Sequence, residues 1–305
     1  MEQPQKSPLS SSQFSLIVLI LALAAGSVMY RLIVWKRLEQ TSLLFIGIPA
    51  VLATFLAVAP GAKTTLGGIM RGITLFLLLS GVLLGEGFIC IVMAAPLFYA
   101  VGVVVGMLLG PGRKGLDSTT RICVILLLLP MSLEGLSPAL SFNRNETVQA
   151  SQLVDASAEQ VGQALGAVPR TDVRLPLYLR MGFPRPVEAA GSGLEVGSTR
   201  TIHFAGGEGH PGDLVLRVDQ SRPGYLHYSA VSDGSEVAHW LAWQTSEIIW
   251  IPVDAQHTRV TWTLRFERKL DPAWYFGPWE RYAARLAAQS LIQVNATPPA
   301  RGMGK

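Results

Sequence analysis

The sequence predicts two dissimilar halves: an N-terminal all-α membrane domain of about five transmembrane helices, and an α+β domain with a curved antiparallel sheet and a long C-terminal helix. Two observations support this prediction. The 305 residues are 50% hydrophobic and only 15% charged, which is too apolar for an ordinary soluble protein. The apolar excess lies in the first half, whereas the second half alternates polar and apolar residues. We therefore expect domains at residues 1–142 and 143–305, with a disordered tail after about residue 295.

Long uncharged runs predict the membrane-spanning helices. These runs are residues 7–30, residues 40–62 and, apart from Glu86, residues 72–112. A helix needs about 20 apolar residues to cross a bilayer, so the first two runs predict one span each and the third predicts two, with a turn at residues 85–87. A further run after Arg121 is apolar enough for a fifth span, although Glu134 and two prolines weaken its second half. The first run is too long for the apolar core of a signal peptide, so we interpret it as a retained helix.

The basic residues of the short loops predict an orientation. With five crossings, one side of the membrane carries Lys6, Lys63, Arg71, Arg113, Lys114 and Arg121. The positive-inside rule makes that side cytoplasmic, which places the C-terminal domain in the periplasm or outside the cell, at the inner (plasma) membrane of a bacterium. The lipid bilayer is then one expected partner. Several cations behind the net charge of +4 flank the apolar runs, and no basic patch interleaved with aromatic residues is present, so we expect no nucleic-acid partner.

The second half begins with a predicted strand and helix. Residues 147–157 predict a strand, and residues 158–168 predict a short helix with Ser157 as its N-cap. A second helical turn is predicted near residues 175–181. Six strands separated by glycine-rich turns follow, at residues 186–190, 198–204, 213–220, 225–232, 240–253 and 258–268.

The last two of these strands differ in how clearly they define an inner face. The strand at residues 258–268 alternates strictly, with Val260, Trp262, Leu264 and Phe266 on one face, as expected for an antiparallel sheet with one solvated side. In residues 240–253 both faces are apolar. The pattern therefore leaves two alternatives for the inward side chains of that strand: Trp243 with Glu247, or Trp240 with Trp250.

Aromatic residues crowd the start of the C-terminal helix. Asp271 predicts a cap and Pro272 the first helical position, whereas Gly277 and Pro278 predict a break and restart. After the restart, helical spacing predicts one apolar face against the sheet, formed by Trp279, Tyr282, Ala283, Leu286, Ala287 and Ser290. The aromatic cluster then either fills the wide end of the space under the helix or lies at a membrane surface.

The order of elements in this half resembles a known family. The segment "LVDASAEQVGQAL", the glycine-rich "AGSGLEVGS" and the final helix are similar to those of the START and polyketide-cyclase superfamily, which has the helix-grip fold. The resemblance covers residues 147–294 and departs at Gly162, where the family commonly has a tryptophan. It implies a cavity between sheet and helix that holds a lipid, a polyketide or another apolar molecule. The membrane half resembles no family that we recognise.

The predicted cavity defines the candidate site. Its expected lining residues come from the last strand and the final helix: Trp262, Leu264, Phe266, Trp279, Tyr282 and Leu286. A plain packed core is the alternative, because regularly spaced aromatic residues usually belong to one. The expected function is binding of a lipid or another hydrophobic small molecule at the membrane. The alternatives are a polyketide-cyclase-like enzyme acting on a lipid-like substrate and a non-catalytic assembly domain with a filled core.

The sequence predicts no catalytic residues, no cofactor and no metal. The imidazoles and carboxylates of His203, Glu208, His210 and Asp213 are close in sequence and of the type that binds zinc. However, "GGEGHPG" predicts a hairpin loop, and the spacing matches no zinc motif. We interpret "AGSGLEVGS" as a turn, and no nucleophile is paired with a base.

Two acidic residues of the membrane half are candidates for functional groups. The glycines on either side of Glu86 favour a turn at the membrane interface. Glu134 lies in the least regular run, so a role in a substrate or proton path remains a hypothesis.

Overall fold

The structure of the chain is a computed structural model that describes residues 11–36, 46–57, 65–83, 88–109, 128, 130–171, 175–205 and 211–298. The chain divides into two compact units, Met1–Phe142 and Asn143–Lys305. We describe the two units separately.

The described residues of the N-terminal unit include the helices α1 (Ser11–Trp35), α2 (Ile48–Ala57), α3 (Thr65–Leu83) and α4 (Phe88–Leu109). Helices α3 and α4 approach each other closely at two glycines of α4. A Cβ atom on Gly102 would lie 2.4 Å from the side chain of Ile73, and one on Gly106 would lie 3.1 Å from that of Ile69. Any larger residue at Gly102 would push the helices apart, so the GxxxG spacing determines how closely they pack.

The prediction of about five transmembrane helices is wrong. Among the described residues only two helical stretches, Leu16–Ile33 and Ile89–Met107, are long and apolar enough to cross a membrane. Helix α2 has 10 residues, which at 1.5 Å per residue covers only about half of a bilayer core roughly 30 Å thick. The apolar part of α3, Leu66–Ser80, is also too short. An uncharged run gives an upper limit to the length of a helix, and within the described residues the helical stretches are shorter than the runs.

The described part of the predicted fifth span is not a continuous helix. Residues 132–135 form turns, Gly135 has a φ of 89°, and a single 3-10 turn follows at Pro138–Leu140. Glu134 is buried within this irregular segment. The predicted turn at residues 85–87, with Glu86, and most of the earlier part of the run lie outside the described residues. The orientation was inferred from five membrane crossings, so it no longer follows now that this number is wrong.

The C-terminal unit has the curved antiparallel sheet and the long C-terminal helix that the sequence predicted. Its elements are β1 (Asn145–Val154), α5 (Ala158–Gly166), β2 (Arg185–Ala190), β3 (Thr199–Ala205), β4 (Gly212–Arg222), β5 (Tyr225–Asp233), β6 (Leu241–Pro252), β7 (Thr258–Arg268) and α6 (Ala273–Leu291). The strand order is β1-β7-β6-β5-β4-β3-β2, with antiparallel pairing throughout. This seven-stranded sheet around a C-terminal helix is the helix-grip arrangement.

Helix α5 begins at the predicted N-cap. The Ser157 hydroxyl accepts a hydrogen bond from the backbone N–H of Gln160 at 3.3 Å, and the Gln160 side chain accepts one from the Ser157 N–H at 3.0 Å. This reciprocal pair is a capping box. A Cβ atom on Gly162 would lie 3.8 Å from the indole of Trp250. The ring of Trp250 therefore packs against α5 at the Gly162 position.

Strand β6 resolves the two alternatives that its sequence left open. The pairing of β6 with β7 shifts by one residue between Trp243 and Thr245, which is a β-bulge. The bulge reverses the alternation, so Trp243, before it, and Trp250, after it, both pack against the same buried core. Glu247 lies on the other face, where its carboxylate accepts a hydrogen bond from the Tyr225 hydroxyl at 3.1 Å.

Helix α6 differs from its prediction in its cap and its continuity. Pro272 is the N-cap, and the buried carboxylate of Asp271 pairs with Arg144 and Arg268 instead of capping the helix. The helix continues through Pro278, although a proline beyond the first turn removes one backbone hydrogen bond and crowds the preceding turn.

The buried face of α6 also differs from the predicted one. It consists of Phe276, Gly277, Glu280, Ala283, Ala284, Ala288 and Ser290. Most of these residues are small, which lets the helix lie close to the sheet. Trp279 and Tyr282 lie off this face and are 38% and 53% exposed.

A π-helical turn, Ile292–Ala296, extends α6 at its C-terminal end. Ile292 and Ala296 are fully buried in the core that the sheet, α5 and α6 share. The Asn295 side chain accepts a hydrogen bond from the backbone N–H of Arg170 at 3.0 Å. Residues 299–305, the end of the predicted tail, lie outside the described residues.

Candidate ligand-binding site

The concave face of the sheet is covered unevenly. Helix α6 packs mainly on β1 and β7, at one edge of the sheet. The inward side chains of β7 are buried there: Val260, Trp262, Leu264 and Phe266. Toward the other edge, on β3 and β4, three inward apolar side chains are only half-buried, Ile202, Phe204 and Leu216, whereas Leu214 and Val218 on the same face are buried. The concave face is therefore closed at the β1–β7 side and more accessible at the β3–β4 side.

A buried arginine lies on this face, next to the half-buried residues. Arg200 of β3 is opposite Leu216 of β4, and directly opposite residues of an antiparallel pair project from the same face of the sheet. Arg200 is only 5% exposed. Its Nη2 donates a hydrogen bond to the backbone carbonyl of Leu165, in the last turn of α5. The same nitrogen donates a second hydrogen bond, of 3.3 Å, to the backbone carbonyl of Gly193.

Tyr228 of β5 is the aromatic neighbour of this arginine. The guanidinium carbon of Arg200 lies 5.2 Å from the centroid of the Tyr228 ring, which is within the range of a cation–π contact. Tyr228 is 2% exposed. Burial raises the pKa of Tyr228 to about 12, although the charge of Arg200 acts in the opposite direction. The hydroxyl is therefore neutral, and able to donate a hydrogen bond, across the physiological pH range.

Both side chains keep a buried polar atom without a partner. The Nε of Arg200 and the hydroxyl of Tyr228 have no hydrogen-bond partner among the described residues. Burial also lowers the pKa of Arg200, because desolvation disfavours the charged form. Since buried polar groups in proteins nearly always have partners, two adjacent orphaned donors indicate a place where a ligand oxygen can bind.

The other polar pair of the concave face is already satisfied. The indole Nε1 of Trp262 donates a hydrogen bond of 2.7 Å to the Ser246 hydroxyl. Both residues are buried. Trp262 therefore contributes an apolar wall, and its N–H is already engaged within the protein.

The structure divides the six residues that the sequence predicted as cavity lining. Trp262, Leu264 and Phe266 lie together in the buried core of the concave face, and Leu286 is half-buried on α6. Trp279 and Tyr282 instead belong to an aromatic cluster around Tyr178. The ring centroid of Tyr178 lies 6.2 Å from that of Trp279 and 5.1 Å from that of Tyr282.

Sequence reasoning missed Arg200 and Tyr228. A signal was present in "STRTIHF", where Arg200 shares its strand face with Ile202 and Phe204. A cation at an inward position of a strand is unusual enough to mark a site.

The aromatic residues at the start of α6 are also divided. Trp274 is 54% exposed, Tyr275 is half-buried, and Phe276 is 1% exposed. Phe276 is therefore a core residue. Of these three side chains, Trp274 is the most exposed.

A second buried polar cluster lies between the end of β7 and α6. Arg268 and Asp271 are fully buried and form an ion pair, to which Arg144 adds a second contact with Asp271. Glu280 is 4% exposed and accepts a hydrogen bond from the Leu270 N–H at 3.4 Å. Burial raises the pKa of Glu280 to about 9, with the charge of Arg268 opposing the shift. This cluster ties α6 to the sheet.

The histidine-rich stretch is not assembled into a metal site in the part of the chain that the structure describes. His203 and Asp213 face each other across β3 and β4, with Nδ1 and Oδ1 2.6 Å apart, and both side chains are exposed. Glu208 and His210 lie outside the described residues. Within the described ranges no group of three His, Cys, Asp or Glu residues is placed to hold a metal ion.

No family model and no curated protein matches the chain. Solved structures similar to it include the Zhui aromatase/cyclase from Streptomyces sp. R1128, at 17% identity over 49% of this chain and 85% of that one, with a TM-score of 0.30. A truncated norcoclaurine synthase from Thalictrum flavum has 15% identity over 48% and 94%, with a TM-score of 0.31. The protein TTHA0849 from Thermus thermophilus has 14% identity over 48% and 92%, with a TM-score of 0.32. Similarities at this level assign no activity to the chain.

Proposed function

We propose that the C-terminal unit is a START-like domain that binds a lipid or another hydrophobic small molecule between the sheet and α6, and that the N-terminal helices hold it at a plasma membrane. The observation that carries the binding function is the uneven cover of the concave face. Where α6 does not pack, three inward apolar side chains of β3 and β4, Ile202, Phe204 and Leu216, remain partly accessible. A concave apolar surface with a few buried polar groups is the usual form of a small-molecule site.

Binding is better supported than catalysis. At neutral pH both Arg200 and Tyr228 are hydrogen-bond donors. Among the described residues, neither is hydrogen-bonded to a histidine or carboxylate that would act as a base. A general acid–base reaction requires such a partner.

The membrane function is supported by the outer surface of the N-terminal unit. Helix α1 exposes large apolar side chains along its length: Phe14, Leu16, Ile17, Ile20, Leu21, Val28 and Leu32. A surface helix of a water-soluble protein has polar residues in such positions. The close approach of α3 and α4 at Gly102 and Gly106 is also typical of helices that pack within a bilayer. The lipid bilayer is therefore the proposed partner of this unit.

The number of crossings can be tested with reporter fusions. If α1 and α4 are the two helices that cross the membrane, the chain before α1 and the chain after α4 lie on the same side of the membrane. We then expect reporters fused before residue 11 and after Phe142 to report the same compartment. Paired alkaline phosphatase and green fluorescent protein fusions at both positions make this measurement. Opposite compartments would require an odd number of crossings and would overturn the assignment of two.

Ligand binding can be tested with a photoreactive long-chain alcohol on the full-length protein in detergent. We expect the alcohol to label peptides of the concave face, as mapped by mass spectrometry. Replacing Leu216 by Trp should fill the accessible part of that face and remove most of the labelling. The matched control is Val215→Trp, because Val215 is the adjacent residue of β4 and projects from the opposite face. Equal labelling of the two variants, or none in the parent protein, would contradict the proposed site.

A further inference from the structure

We infer that the bound molecule is an amphipathic acid, whose apolar tail lies along the concave face and whose single oxyanion group, a carboxylate or a phosphate, is held by Arg200 and Tyr228. This inference rests on the proposed ligand-binding function and specifies the chemical class of the ligand.

The first argument is the charge of Arg200. The side chain is nine-tenths buried, and no carboxylate among the described residues forms an ion pair with it. A buried cation without a counterion is costly, and proteins normally pair such groups. A ligand oxyanion would provide the missing counterion.

A purely structural role explains only part of the arginine. Its Nη2 joins the C-terminal end of α5 to the turn that contains Gly193, where a positive charge also suits the helix dipole. That role uses one of the nitrogen atoms. It leaves the Nε buried without a hydrogen-bond partner among the described residues.

The second argument is that a second orphaned donor belongs to a side chain in contact with Arg200. The Tyr228 hydroxyl is buried and unpartnered, and the ring is in contact with the Arg200 guanidinium. Carboxylate and phosphate groups each offer at least two oxygen atoms, so one such group can accept hydrogen bonds from both residues. Hydrogen bonds between a cation and an oxyanion are the strong ones in proteins.

The third argument is the apolar surface next to this pair. Leu216 lies directly opposite Arg200, and Val218 lies directly opposite Tyr228, in the pairing of β4 with its neighbours. Leu226 lies two residues before Tyr228 on the same face and is fully buried. A polar head at Arg200 therefore lies next to apolar residues. Leu216 is half-buried and can contact a tail, whereas Val218 and Leu226 belong to the packed core behind it.

The test compares three photoreactive probes with the same hexadecyl chain: the carboxylic acid, the phosphate monoester and the neutral alcohol. They are applied to the full-length protein in detergent, and labelling of concave-face peptides is measured against probe concentration. We expect the acid or the phosphate to reach half-maximal labelling at about 10- to 100-fold lower concentration than the alcohol, the range expected for a hydrogen bond to a charged group. Whichever of the two labels more strongly identifies the head group.

Two variants connect that preference to the residues. Arg200→Met keeps a long apolar stem without the charge and should abolish the preference for the anionic probes. Tyr228→Phe keeps the ring in the core, so simple misfolding is less of a concern. It should weaken anionic labelling by about 2- to 10-fold, and more than it weakens labelling by the alcohol. Arg217→Met is the control, because Arg217 is an exposed arginine on the opposite face of β4.

The outcomes separate the two proposals. Equal labelling by all three probes, unchanged in Arg200→Met and Tyr228→Phe, would overturn the oxyanion inference and leave the binding function standing. Absence of labelling by any probe would overturn the binding function itself. Anionic preference that persists in both variants would place the head group elsewhere and would also overturn this inference.

Discussion

Replacing Asp271 by Asn is expected to destabilise the C-terminal unit by about 3–5 kcal/mol, the range found when one partner of a buried ion pair is removed. Asp271 is fully buried and pairs with Arg268, which is fully buried as well, and with Arg144. Asparagine keeps nearly the same shape, so the change removes charge with little change in packing. The variant leaves the positive charge of Arg268 without this carboxylate in the protein interior.

Urea unfolding of the full-length protein in detergent micelles measures this effect. Tryptophan fluorescence is a suitable signal, because six of the seven tryptophans belong to the C-terminal unit. The control is Glu267→Gln, which removes a carboxylate from a partly exposed pair with Lys269 and should change the free energy of unfolding by about 1 kcal/mol or less. A loss of similar size in both variants would show that the Asp271 pairs do not stabilise the unit in the way that their burial suggests.

Replacing Glu280 by Gln is expected to remove a pH dependence from the stability of the same unit. Burial raises the pKa of Glu280 to about 9 from its ordinary value of 4.5. Between these two values the folded state keeps the proton and the unfolded state releases it. Stability from this group is therefore fully present below about pH 4.5 and falls as pH rises toward 9, by on the order of 1 kcal/mol per pH unit.

Glutamine resembles the protonated carboxyl and can still accept the hydrogen bond from the Leu270 N–H. The variant should therefore match the parent protein near pH 5 and exceed it in stability by several kcal/mol at pH 8. Unfolding free energies measured by tryptophan fluorescence between pH 5 and 9 provide the comparison. Glu247→Gln, on the other face of β6, is the control and should leave the slope unchanged. Parallel pH profiles for Glu280→Gln and the parent protein would show that Glu280 is already ionised in the folded state.

The sequence by itself determined those features of the C-terminal unit that depend on residues close along the chain. Alternation at every second residue placed Val260, Trp262, Leu264 and Phe266 on one face of β7, and these side chains are buried together. Ser157 was predicted as the N-cap of α5, and the structure shows it there, with Gln160 completing a capping box. Such signals arise within one or two turns of a helix or within a single strand. They can therefore be recognised in the sequence without knowledge of the tertiary structure.

Other features were decided only by the tertiary structure, because they depend on residues far apart in sequence. The bulge in β6 arises from the pairing of β6 with β7. Because of this bulge, Trp243 and Trp250 project toward the same core. The buried face of α6 follows from the fit of small side chains against the sheet, which helical periodicity places only approximately. Arg200 is a candidate residue only because the fold places its guanidinium against the Tyr228 ring and against Leu165 at the end of α5. Leu165 is 35 residues earlier in the chain. The environment of a buried charge is a property of the packed structure, and no local pattern contains it.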